Sequence, residues 1–188
     1  MKKLSWMLLL SVLAATNLAQ GTTKNATTTT GSQTAPAKEL TFTARHVWDA
    51  KVEIGEVTEL GPSKYGTRRM IPITGGSFSG PNIKGTVLPG GADFQVTRAD
   101  GDTEFEARYM LKTHDGVAIQ VTNRVLFHPS TDTAADSQPY LRSVIELEAP
   151  SSSPYAYLNH AFFLGTLEVP QVKPGETPYV IIGVYQLL

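Results

Sequence analysis

The sequence predicts an all-β domain closed as a single antiparallel barrel, and three observations carry that prediction. No stretch after residue 39 sustains apolar residues at i, i+3, i+4 and i+7, the spacing an amphipathic helix needs. Thr103–Lys112 alternates strictly, with Phe105, Ala107, Tyr109 and Leu111 on one face and Glu104, Glu106, Arg108 and Met110 on the other. Eight of the 16 glycines fall between Gly61 and Gly91, where they permit sharp bends, bulges and close backbone approach. Short antiparallel strands with concentrated glycine suit a barrel or a sandwich; closure into a barrel removes exposed strand edges.

The elements follow in order. Asp100-Gly101 and Asp115-Gly116 flank the alternating segment and supply the positive φ of tight hairpins. Residues 92–98, 103–112 and 117–122 therefore form a three-stranded meander. Further strands are predicted near 40–49, 51–60, 68–73, 83–87, 140–148, 155–168 and 178–187, and Pro129–Pro139 reads as a long surface loop.

Two segments precede the domain. Lys2 and Lys3 lead an uncharged, Leu-rich run from Leu4 to Ala15, followed by Asn17 and Ala19 at the −3 and −1 positions of a cleavage site. This is the pattern of a secretory signal peptide over residues 1–19, and the run is shorter than the roughly 20 residues of a membrane-spanning helix. Residues 20–38 contain seven Thr and no apolar periodicity, a composition that reads as a disordered linker. Residues 39–188 are left as the domain. Without Lys2 and Lys3 the chain carries 14 basic residues against 17 acidic ones, which excludes recruitment of nucleic acid or anionic lipid by bulk charge. The expected location is secreted or periplasmic, with no membrane span in the mature form.

Composition also removes classes of chemistry. The chain has no Cys, so it has no disulfide, thiolate metal site or cysteine nucleophile. His46, His114, His128 and His160 show no short metal-ligand spacing, and no metal or cofactor is expected. Gly76-Ser77-Phe78-Ser79-Gly80 has Phe where a hydrolase elbow needs its nucleophile. Gly61–Gly66 is followed by Thr67 and lacks the lysine of a phosphate loop. What remains is charge on strands. Glu106 and Arg108 share one face of a strand, and Asp93 lies on a neighbouring one. Facing inward, these groups would be desolvated and need partners; facing water, they would be an ordinary solvated surface.

The ordered set Gly66-Thr67-Arg68-Arg69, Ile71–Gly80, Ile83–Asp93, Ala107-Arg108-Tyr109, Asp115-Gly116, Tyr140-Leu141-Arg142, Tyr155–Asn159 and Val184-Tyr185 resembles the DUF3237 family, also labelled UPF0311. The resemblance covers roughly residues 40–188. It departs at Phe94 and Tyr157, where the family usually carries Trp, and at Val125, where a Gly is common. The resemblance implies a compact antiparallel barrel of the calycin or allene-oxide-cyclase-like kind and brings no established activity. It also favours an inward-facing polar cluster, because Asp93 and Arg108 both fall within matching motifs.

Three functions fit these residues. The first is a barrel that binds a small apolar or carboxylate-bearing molecule. Trp48, Phe94, Tyr109, Tyr140 and Tyr157 would line it, and Arg142 and Asn159, with Asp93 and Arg108, would orient its polar end. The second is an acid–base enzyme of isomerase, cyclase or lyase type without a cofactor. Here Asp93 or Glu106 moves a proton and Arg108 stabilises negative charge. The third is a structural or interaction module with no small-molecule site.

Overall fold

The computed structural model of the chain describes residues 40–130 and 138–188. The signal-peptide and linker segments, and the centre of the 129–139 loop, lie outside the described residues. Among the described residues ten strands form one antiparallel sheet: β1 (Ala44–Ile54), β2 (Thr58–Ser63), β3 (Gly66–Ser79), β4 (Lys84–Val87), β5 (Gly91–Thr97), β6 (Thr103–Thr113), β7 (Ala118–His128), β8 (Tyr140–Glu148), β9 (Phe163–Glu168) and β10 (Tyr179–Leu187). A short 3-10 helix spans Ala156–His160.

The sheet closes on itself. Pairing runs β1–β10–β9–β8–β7–β6, then through β4 and β5 to β3, which returns to β1. β4 and β5 both lie between β3 and β6 and act as one interrupted stave, giving an eight-stave barrel. β2 takes over from β1 beside the first half of β3. The two Asp-Gly turns form as expected, with Gly101 at φ +92° and Gly116 at +91°. At Gly76 (φ +132°), where the β1–β3 register shifts nearby, a Cβ would lie 2.0 Å from the Lys51 carbonyl oxygen, so only glycine fits.

The meander forms where the alternation placed it, except that its third strand continues past residue 122 to His128, because Asn123, Val125 and Phe127 extend the inward face. Other boundaries differ for identifiable reasons. The expected break between residues 49 and 51 is absent, because Trp48, Ala50, Val52 and Ile54 continue one inward face through β1. The predicted 155–168 strand divides into the 3-10 helix and β9, since Leu158 turns inward from the helix to cap the core.

The two ends of the barrel are built differently. At one end Trp48, Phe78, Leu111, Ile119, Leu158 and Phe163 are fully or almost fully buried, and the Trp48 and Phe78 rings pack at 5.5 Å. The segment after β8 plugs this end, with Tyr155 donating to Asp115 Oδ1 at 3.1 Å from beneath the β6–β7 turn. At the other end the inward-facing Phe105, Ala107, Phe127, Leu141, Leu167 and Val180 are only partly buried.

Candidate active site at the open end of the barrel

Strand parity decides which side chains reach the lumen. On β6 the apolar set Phe105, Ala107, Tyr109 and Leu111 takes the inner face, so Glu106 and Arg108 point outward. There they form a solvated pair at 2.7 Å, with Arg124 at 3.6 Å from the same carboxylate. Asp93 is the cross-strand partner of Ala107 and therefore faces inward. The expected Asp93–Arg108 cluster does not form: the two residues lie on opposite faces of the sheet. Arg69 and Gln95 take that place. Arg69 Nε donates to Gln95 Oε1 at 2.6 Å, and Gln95 Nε2 donates to Asp93 Oδ2 at 2.6 Å. All three stand on adjacent inner positions of β3 and β5.

The electrostatics of this relay are uneven. Burial raises the Asp93 carboxyl above its ordinary value, and the Gln95 hydrogen bond and the Arg69 charge oppose that only in part. Oδ2 is occupied by the Gln95 donor. Oδ1 is buried and has no hydrogen-bond partner among the described residues. A proton on Asp93 therefore belongs on Oδ1, where no protein group competes for it. Tyr109 stands on the same face one diagonal step away; burial raises its hydroxyl as well, and it has no hydrogen-bond partner among the described residues. Around the relay the wall is mixed. Thr97 and Thr103 hydrogen-bond at 3.0 Å on the polar side, while Phe105, Val125, Phe127, Leu141 and Leu167 supply apolar surface.

The other sequence candidates are dispersed. Trp48 is inward but lies in the closed-end core. Phe94 projects outward opposite Glu106 and is half exposed. Tyr140 and Arg142 sit at the start of β8, the guanidinium 5.4 Å from the exposed ring. Tyr157 is partly exposed on the 3-10 helix. Asn159 clasps the backbone of Ala149, accepting from its N–H at 2.8 Å and donating to its carbonyl at 2.9 Å. That side chain mimics a paired strand residue next to the end of β8. An external groove of about 640 Å³, lined by residues that include Arg124, Val144 and Phe162, lies on the outer surface and contains none of the inward polar groups of the open end.

Sequence reasoning missed Gln95, Asn123 and Ser143, all of which are buried. Asn123 interrupts the inward series Ile119, Val121, Val125, Phe127, and Ser143 interrupts Leu141, Ile145, Leu147. A polar residue at an apolar parity position was the available sign. Among the described residues no group of three His, Cys, Asp or Glu is arranged to hold a metal ion. None of their helices is long and apolar enough to cross a membrane.

The family model for DUF3237, described as a protein of unknown function, matches residues 36–187. The chain belongs to the DUF3237 family. A UPF0311 protein of Rhodopseudomonas palustris is 43% identical over 83 residues, covering 44% of this chain and 54% of that protein. The matched part thus spans about half the length of that relative. A crystal structure of a β-barrel-like protein from Acinetobacter baumannii superposes with a TM-score of 0.67 at 28% identity, covering 81% of this chain and all of that one. A hydroalkoxylation enzyme, phnH, of Penicillium herquei is 33% identical over 94 residues, covering 50% of this chain and 53% of that protein. The crystal structure of an enzyme from Penicillium herquei has a TM-score of 0.58 at 22% identity, covering 82% of this chain and all of that one, a likeness of fold. The DUF3237 barrel is thus shared by proteins of unknown function and by at least one enzyme.

Proposed function

We propose that the open end of the barrel binds a small, largely apolar molecule and that Asp93 transfers a proton to it. The protein is then an acid–base enzyme, and the reaction class we assign is addition of a hydroxyl across a carbon–carbon double bond. The observation that carries this reading is Asp93 itself: an inward carboxyl raised by burial, with Oδ2 held by Gln95 and Oδ1 unpartnered. The reaction class comes from the Penicillium herquei relative, whose description as a hydroalkoxylation enzyme supports it.

The chemistry asks little beyond what these residues supply. The neutral carboxyl adds its proton to the less substituted alkene carbon. The hydroxyl oxygen bonds to the carbon left electron-poor, and the hydroxyl proton returns to the carboxylate. One π bond and one O–H bond are exchanged for one C–H and one C–O bond, with no net oxidation. Gln95 fixes the carboxyl orientation, and Arg69, acting through Gln95, stabilises the carboxylate formed midway. The apolar wall excludes water that would otherwise trap the electron-poor carbon.

Ring closure of 2-prenylphenol to 2,2-dimethylchroman tests the reading. The wild-type chain should accelerate it and, in heavy water, place one deuterium on the carbon that receives the proton. Asp93→Asn should lower the rate by about 10²–10⁴-fold. A wild-type rate in Asp93→Asn contradicts the assignment. We also propose export directed by residues 1–19. Mass spectrometry of the secreted chain should find its N-terminus near Gln20, and a chain still beginning at Met1 contradicts it.

A further inference from the structure

Asn123 and Ser143 are the other buried polar pair facing the lumen, each 3% exposed, with the Ser143 hydroxyl donating to Asn123 Oδ1. Asn123 Nδ2 has no hydrogen-bond partner among the described residues. The atoms that are both enclosed and unpaired among the described residues are His46 Nε2 and Asp93 Oδ1, so the Asn123 amide nitrogen keeps a small accessible surface, from which it can donate to a ligand or a water. The fold also makes room for the pair. Gly165 stands opposite Ser143, and a Cβ there would lie 2.6 Å from the Ser143 hydroxyl.

Register ties this pair to the proposed acid. Asp93, Ala107 and Asn123 occupy one row across β5, β6 and β7. Asp93 and Asn123 are therefore two strand spacings apart, about 10 Å at the backbone, and barrel curvature brings their side chains closer. The residue between them is Ala107, small and only partly buried although it faces inward. Two polar stations thus flank one small apolar side chain, with Phe105 and Val125 beside it.

We infer that the site selects an apolar ligand carrying two oxygen functions, one at Asp93 and the other at Asn123, with the body of the ligand lying over Ala107. The inference rests on the proposed function only for the first oxygen. It concerns binding, so it can be tested apart from turnover.

The probes are 2,6-dihydroxynaphthalene and 2-naphthol, titrated calorimetrically into the full chain. One additional buried hydrogen bond should make the wild-type protein bind the diol roughly five- to tenfold more tightly than the mono-ol. Asn123→Leu should abolish that preference. Equal affinities in the wild type, failure of both probes to bind it, or an undiminished preference in Asn123→Leu would overturn the inference; the last result would assign the free amide to a bound water alone. Should Asn123→Leu fail to fold, Ala107→Leu places bulk between the two stations and should abolish diol binding, and retained affinity would overturn the inference equally. Asp93→Asn separates the two readings. A variant that still closes 2-prenylphenol while wild-type diol selectivity is intact removes the catalytic reading and leaves the two-oxygen site standing.

Discussion

The two ends of the barrel share one sheet and one alternation rule but place different residues on the inner face. At the closed end the inward positions are large and apolar, and a loop carrying Tyr155 and Leu158 seals them. At the open end Arg69, Asp93, Gln95, Asn123 and Ser143 occupy positions of the same parity, and the neighbouring apolar residues stay partly exposed. Close apolar packing is concentrated in one half of the barrel and inward polar groups in the other. A chain without Cys must draw its stability from packing, and the closed end supplies it. The other end can then carry a buried carboxyl whose ionised form costs stability.

Damage at each end should therefore read out differently. The largest expected effect is catalytic: the loss in Asp93→Asn described above, with the fold retained by circular dichroism. At the closed end, Trp48→Ala removes a fully buried ring packed on Phe78 and should cost about 3–5 kcal/mol in urea unfolding. A cost below about 1 kcal/mol there would break the division between the ends. Asn159→Ala releases both hydrogen bonds to Ala149 and should cost about 1–2 kcal/mol, again by denaturation. Unchanged stability would mean that the clasp is dispensable and reopen a role in ligand contact for Asn159.

The smallest effect is a pH dependence. Burial holds the Asp93 carboxyl above its ordinary value of 3.8. Between 3.8 and the raised value, the folded chain keeps a proton that the unfolded chain has lost. This contribution to stability is complete below the ordinary value and disappears as pH rises through the folded-state pKa. Asp93→Asn cannot titrate, so its melting temperature relative to the wild type should climb with pH across that window and then level off. A difference that stays flat from acid to neutral pH would show that Asp93 titrates normally.

Much of the barrel was legible in the sequence because alternation and Asp-Gly turns act locally. Phe105 to Leu111 identified β6, and Gly101 and Gly116 marked its ends. Closure was less legible, since the β1–β3 and β1–β10 pairings join distant segments that no local pattern records. The site was read only in part. Asp93 stands out in the sequence as a charge on the strand beside β6, and its grouping with Arg108 does not survive the parity that the apolar face of β6 imposes. Once Phe105, Ala107 and Tyr109 point inward, Glu106 and Arg108 must point outward. Arg69 was visible in its motif, yet its link to Asp93 runs through Gln95 and depends on the β3–β5 register.

In the proposed function Asp93 stays protonated above the range of ordinary aspartates and faces the ligand. Carbon-13 NMR titration of the side-chain carboxyls, with Asp93→Asn for assignment, measures this directly. The expected result is an Asp93 midpoint above 3.8 and a resonance that shifts when 2-naphthol binds. A midpoint at or below 3.8, with a resonance indifferent to the ligand, would contradict it.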